Sequence, residues 1–191
     1  MHAIYPHSLS FFTIFTIPMK NTPSVVSILK YILILLILIA GFGSDLLSKR
    51  WAKSVLYGKP PQVLVPGFVE VGYSENRGMV FGIMNDGKPN VFKSALTWVR
   101  MVIFLGVSGL IIAWRKRSFW VLFPFLLIWG GAIGNVVDSF RYGFVVDFIH
   151  VHAGTILDWP FYFNLADAYL CVGMGILILL SFVTPKGAKK T

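Results

Sequence analysis

The chain has 191 residues, 56% of them apolar and only 13% charged, with a formal net charge of +9. Soluble domains carry about twice that share of charge, so the composition excludes an ordinary water-soluble fold. The apolar residues are bunched into four runs, at 25–43, 95–114, 118–137 and 168–184, which contain no charges apart from Lys30 and Arg100. A hydrocarbon core of ~30 Å needs about 20 helical residues to cross it. Each run therefore predicts a transmembrane helix.

In chain order, residues 1–24 form an N-terminal extension and cytoplasmic flank, with Met19-Lys20-Asn21 as an alternative start. No Ala-x-Ala-like site follows the first run, which reads as a retained anchor and not as a cleaved signal. After it comes a first outer loop, residues 44–90. Its opening, residues 45–56, suits an amphipathic interfacial helix with Trp51 as an anchor. Pro60, Pro61 and Pro66 break any helix beyond. Residues 63–73 alternate as a strand or hairpin would. The second outer loop, residues 138–167, contains Phe144-Val145-Val146-Asp147-Phe148-Ile149, a second strand. Irregular backbone cannot face lipid, so the two β segments are expected to pair as a cap over the bundle. The fold class is a membrane all-α bundle of four transmembrane helices with a small extracytoplasmic β cap and an interfacial helix. Residues 25–184 form one domain, and 185–191 form a cytoplasmic basic tail.

Basic residues near the span ends set orientation. Arg115, Lys116, Arg117, Lys186, Lys189, Lys190 and Lys20 share one side of a four-span chain, which places both termini in the cytoplasm. Lys49, Arg50, Lys53 and Lys59 run against this. All eight acids fall in or at the edge of the two outer loops. The net positive charge therefore reads as orientation and contact with anionic lipid heads, not as nucleic-acid binding. Cys171 is the single cysteine and cannot form a disulfide within the chain.

Polar groups at membrane depth are costly and need a reason. Gly130, Gly131 and Gly134 allow close helix approach, and Asn135 and Asp138, three apart, share a helix face. Asn164 and Asp167 repeat that spacing at the start of the last run. Asp167 can be read as a helix-cap residue or as part of a site, and spacing alone leaves both open. Asp147 sits mid-strand, where a carboxylate has no local role; it reads either as a solvent-facing strand residue or as part of a site. Paired with Asp167 it would share a proton, one carboxylate activating water and the other polarising a carbonyl.

Five motifs occur in order: Asp45-Leu46-Leu47-Ser48-Lys49; Asn76-Arg77-Gly78 through Phe81-Gly82; Gly130-Gly131 through Gly134-Asn135 to Asp138; Val146-Asp147-Phe148; and Phe163-Asn164-Leu165-Ala166-Asp167. Together they resemble the lipoprotein signal peptidases, signal peptidase II. The resemblance implies an aspartyl endopeptidase of the bacterial inner membrane. Such enzymes use neither metal nor cofactor and cut prolipoproteins just before a diacylglyceryl-modified cysteine. It implies Asp147 and Asp167 as the catalytic pair, and Asn135, Asp138, Asn164, Asp45 and Asn76 as supporting or substrate-facing residues. It also implies prolipoprotein and lipid partners, a monomer, and sensitivity to the family inhibitor globomycin. Many members have Arg directly after the position of Asp138. Here that residue is Ser139, and Arg141 is the candidate to supply the charge.

Rival readings remain. Gly106-Val107-Ser108-Gly109 imitates a rhomboid-type serine nucleophile, but no histidine lies in any span to activate it, and small residues at a helix contact account for it better. His150 and His152 share a strand face and could hold a metal with Asp147 or Asp158, although the chain has no His-Glu-x-x-His helix. A transporter or channel subunit is the non-enzymatic alternative.

Overall fold

The computed structural model of the chain describes residues 24–77, 91–153, 157–158 and 161–183. Four helices make up the body: α1 (Ser24–Leu56), α2 (Val91–Ala113), α3 (Phe119–Tyr142) and α4 (Leu165–Val183). All four are long and apolar enough to cross a membrane, as the four runs predicted. The protein is a multi-pass membrane protein. The N-terminal extension, the Gly78–Gly82 part of the second motif and the basic tail lie outside the described residues.

Only α3 is mostly buried. It packs on α1, α2 and α4, whereas α2 and α4 have almost no contact with each other. The three outer helices turn large apolar side chains such as Leu36, Ile103 and Leu179 outward, the arrangement lipid favours. Glycines set how closely α3 meets its neighbours. A Cβ on Gly130 would stand 3.6 Å from the Gly41 Cα of α1, while the Ala166 carbonyl and the Asp45 carboxylate fill the places of a Cβ on Gly131 and Gly134. At its N-terminus the Ser118 hydroxyl accepts a hydrogen bond from Trp120 N. At the other end Gly143 turns into the left-handed region (φ 72°) and its N–H bonds back to Ser139 O, a glycine stop of the usual kind. Lys30, the one charge in the first run, donates to the carbonyl oxygens of Arg115 and Arg117 in the α2–α3 turn.

The expected cap is present. Strands β1 (Gln62–Val65), β2 (Val69–Asn76), β3 (Val145–Ala153) and a two-residue β4 (Leu157–Asp158) form an antiparallel sheet in the order β1-β2-β3-β4. The β1–β2 hairpin turns at Gly67 (φ 74°). β2 carries a bulge: Val71 faces Ile149 but Ser74 faces Asp147, so two residues of β2 oppose Phe148 alone. The sheet rests on α1 through Val71, Val146 and Phe148 against Ala52 and Leu56.

Residues 45–56 are helical, but they are not a separate interfacial helix. They continue α1 without a break. Gly41 and Gly43 do not interrupt the helix, and every fourth residue from Asp45 through Lys49 stays buried toward α3 and α4. Ala52 and Leu56 extend that stripe under the sheet. Trp51, on the neighbouring face, meets Phe148 edge-on at 6.1 Å. The loops are correspondingly shorter than expected, since α3 runs on to Tyr142 and α4 starts at Leu165.

Candidate active site

Asp147 and Asp167 reach one place by different routes. Asp147 sits on β3 and is 2% exposed, so a solvent-facing strand position is ruled out. Beside it Phe163 forms a bridge with Ile149, and its carbonyl accepts from Phe148 N and Ile149 N at 3.0 and 2.8 Å. That bridge brings Asn164 and the start of α4 against Asp147. Asn164 then caps α4. Its Oδ1 accepts from Asp167 N at 3.0 Å, and Asp167 Oδ2 accepts from Asn164 N at 3.2 Å, the reciprocal pattern of a capping box. Asp167 thus takes part in the cap from the third helical position, and the cap residue itself is Asn164. Asp167 uses one carboxylate oxygen there and leaves the other to bond across the bundle.

The carboxylates are held by three asparagine amides whose orientations follow from their partners. Lys49 can only donate, and its Nζ bonds Asn135 Oδ1 at 2.9 Å. That turns the Asn135 Nδ2 toward Asp167 Oδ1, at 2.8 Å. Asn164, its oxygen occupied by Asp167 N, donates from Nδ2 to Asp147 Oδ1 at 2.6 Å, and also lies 3.3 Å from Val146 O and Asn135 Oδ1. Asn76, at the end of β2, donates to Asp147 Oδ2 at 3.0 Å. Burial and the neighbouring Asp167 carboxylate push the Asp147 carboxyl up to about 7, against the opposing effect of the two asparagine amides. Two close carboxylates cannot both ionise cheaply away from water, so near neutral pH a proton is available to this pair.

Beneath the pair lies a buried ionic cluster. Lys49 Nζ stands 2.7 Å from Asp45 Oδ2 and 3.1 Å from Asp138 Oδ2, with all three side chains at most 4% exposed. Asp45 Oδ1 accepts from Ala166 N in the first turn of α4, and Asp138 Oδ2 accepts from Val146 N on β3. Asp45 and Asp138 therefore tie α1 and α3 to the two elements that carry the acidic pair. Asp45, Asn76, Asn135, Asp138 and Asn164, all expected from the motifs, are brought together.

Two cations complete the site that motif reading did not assign. Lys49 was visible as a lysine one helical turn from Asp45. Arg100 was visible as the lone charge in an apolar run, a pattern that marks function by default. Its Nη1 donates to Ser139 Oγ at 3.0 Å, and that hydroxyl donates to Asn135 O at 2.7 Å. Arg141 does not take the place expected for it. It lies in the last turn of α3, is exposed, and stacks on the Tyr142 ring at 5.3 Å. The guanidinium beside Ser139 comes from α2 instead.

Two cavities meet here. One, of about 160 Å³, is lined by Asn76, Arg100, Ile103, Ala132, Asn135, Val145, Asp167 and Leu170. A larger one, of about 570 Å³ and mostly apolar, is lined by Asn76, Asp147, Phe161, Tyr162, Phe163 and Asp167 among others, with the exposed thiol of Cys171 at its edge. Asn76 and Asp167 border both.

The rival constellations fare differently. Ser108 donates to Phe104 O and accepts from Trp129 Nε1, so it ties α2 to α3 as a structural group. Gly106 and Gly109 beside it face open space; the contact with α3 is made by Ser108 and by Val107, which packs against Val121 and Phe125. His150 and His152 gather with Glu70, not with Asp147. Asp147 lies on the other face of β3, and the Asp158 side chain is outside the described residues.

Comparison with known proteins finds relatives over most of the chain. The sequence profile of a family described as signal peptidase (SPase) II matches residues 12–183. A lipoprotein signal peptidase of Xylella fastidiosa (strain M12) is 35% identical over 161 residues, 82% of this chain and 92% of the relative. One from Shewanella piezotolerans is 33% identical over 159 residues, 81% of this chain and 89% of the relative. A bacterial membrane enzyme solved in meso at 2.3 Å superposes with a TM-score of 0.62 at 23% identity, covering 90% of this chain and 98% of that one.

Proposed function

The chain belongs to the signal peptidase II family of aspartic peptidases, lipoprotein signal peptidases that process prolipoproteins, and from that premise we propose that Asp147 and Asp167 are its catalytic dyad. The observation that carries this is the pair itself: two carboxylates, each oriented by asparagine amides, bordering one cavity, with the Asp147 carboxyl raised to about 7.

In this reading Asp147 is protonated near neutrality and donates a hydrogen bond to the carbonyl oxygen of the scissile peptide. Asp167, ionised, takes a proton from a water held between the two. The hydroxide attacks the carbonyl carbon, and the tetrahedral oxyanion is stabilised by the Asp147 proton. Asp167 then returns its proton to the leaving amine as the C–N bond breaks. Asn76 and Asn164 hold Asp147, and Asn135 holds Asp167. Arg100 supplies positive charge at the cavity wall, where negative charge builds up in the transition state. Asp45 and Asp138, through Lys49, fix the frame.

The substrate is a prolipoprotein cleaved just before its diacylglyceryl cysteine. The weak contact between α2 and α4 beside the two cavities supports lateral entry from lipid, with the acyl chains between helices. The larger, mostly apolar cavity suits the lipid-bearing residue. Arg115, Lys116 and Arg117 lie at the helix ends opposite the sheet and the acids. That supports an inner-membrane orientation with both termini cytoplasmic and the site near the outer face. Lys49, which ran against this orientation in the sequence, is an internal ion-pair partner and not a loop charge. The reading extends to a monomer inhibited by globomycin.

The test is in vitro cleavage of a diacylglyceryl prolipoprotein. Asp147→Asn and Asp167→Asn should each lose at least about 10²–10⁴-fold in rate, the range general acid–base groups contribute. Near-normal cleavage by either would sink the dyad. A transporter or channel subunit would tolerate both without prolipoprotein accumulating.

A further inference from the structure

On the sheet face opposite Asp147, β2 and β3 bring together a set of metal-type ligands that the peptidase chemistry does not use. His150 and His152 alternate along β3, so their rings share a face. Glu70 stands directly across from His150 in the β2–β3 register. Glu70 Oε2 lies 3.5 Å from His152 Nε2 and 3.9 Å from His150 Nδ1, and the ligand atoms all lie within 4.8 Å of one another. The backbone around them is anchored, since His152 N donates to Phe68 O at 2.7 Å. Tyr162 stacks on His150 with ring centroids 5.0 Å apart and planes 28° apart.

A tetrahedral zinc ion with bonds of about 2.0–2.1 Å separates its ligand atoms by roughly 3.3–3.5 Å. The separations to Glu70 are already within half an ångström of that. The histidine ligand atoms, no more than 4.8 Å apart, need to close by at most about 1.5 Å to reach that spacing, a small rotamer change for half-buried rings. Imidazole and carboxylate are the donors zinc takes readily. Two histidines and one glutamate fill three positions and leave the fourth to water. A bare His–carboxylate ion pair would need only one of the two rings. The convergence of both rings on a single carboxylate oxygen is what a shared cation explains.

We propose that Glu70, His150 and His152 form a zinc-type divalent metal site, distinct from the peptidase centre, that clamps β2 to β3. The two strands it joins also carry Asn76 and Asp147. The ion therefore stiffens the cap over the active site without entering the reaction.

The experiment uses the full chain, free of affinity-tag histidines, in detergent micelles after chelator stripping. Equilibrated with micromolar free zinc and desalted, the wild type should retain one zinc per chain, and its thermal midpoint should rise because the ion binds the folded state. Cobalt in place of zinc should give the strong visible absorption of a four-coordinate nitrogen–oxygen site. Glu70→Gln should weaken zinc binding by at least the roughly 10- to 100-fold that loss of an outer-shell partner costs, and His150→Ala/His152→Ala should abolish it. If the double variant does not fold, Glu70→Gln and the wild-type cobalt spectrum still decide. A wild type that keeps no zinc, or a double variant that keeps it at wild-type affinity through His2 or His7, overturns the assignment.

Discussion

Replacing Lys49 by Met keeps most of the length of the side chain and removes its charge. In the native protein that charge lies 2.7 Å from Asp45 and 3.1 Å from Asp138, with all three side chains at most 4% exposed. An exposed ion pair contributes about 0–1 kcal/mol. Breaking a buried one costs about 3–5 kcal/mol, because the partners keep their desolvation cost without compensation. Lys49→Met leaves two carboxylates facing each other across α1 and α3, so the upper part of that range is expected. Reversible unfolding in mixed micelles, followed by tryptophan fluorescence, measures it. Lys49→Met/Asp138→Asn returns the cluster to one excess negative charge, as in the native protein, and should recover at least about half of the loss. Cleavage should fall as well, since the Asn135 amide that donates to Asp167 loses the lysine that anchors its oxygen. A loss of no more than about 1 kcal/mol in the single variant, which an exposed pair would already explain, or no recovery in the double variant, would refute the assignment of Lys49 as the buried counter-ion.

Further outcomes follow from the same geometry. Gly134→Ala would drive a methyl group into the Asp45 carboxylate, which Lys49 and Ala166 N already hold in place. It should destabilise the protein by about 1–3 kcal/mol in the same unfolding assay, and a neutral result would mean that α1 and α3 can separate cheaply. Arg100→Met should lower kcat/KM by about 10- to 100-fold, somewhat less than loss of a full oxyanion donor. Arg141→Ala, on an exposed stacked side chain, should stay within about twofold of wild type, as surface changes away from a site do. The reverse ranking would restore Arg141 as the residue that serves the site.

Much of this was legible in the chain, for identifiable reasons. Four apolar runs in 191 residues have no soluble solution, and a carboxylate between Val146 and Phe148 has no local purpose, so the bundle and Asp147 stood out. The pairing of the two β segments followed from the rule that irregular backbone avoids lipid. The extent of α1 did not. Hydropathy falls after Gly43, but the helix continues because Asp45, Lys49, Ala52 and Leu56 form one buried stripe, polar at first and apolar under the sheet. A hydropathy window reads that polar half as the end of a span. The source of the arginine was equally hidden. Arg141 is near Asp138 in sequence, and Arg100 is near it only after α2 packs on α3. The asparagine orientations are tertiary in the same sense, since Asn135 points its donor at Asp167 while Lys49 from another helix and Asn164 claim its oxygen.

The claim on which the mechanism rests is that one proton is shared at the dyad, and its most direct test is the rate of prolipoprotein cleavage against pH. The Asp147 carboxyl, raised to about 7, must carry its proton for the carbonyl to be polarised. Activity should therefore fall as pH rises through about 7, and fall again in acid once both carboxyls are protonated. A bell of that shape is the expected result. A flat profile from acid through neutral and mildly alkaline pH would contradict the shared proton.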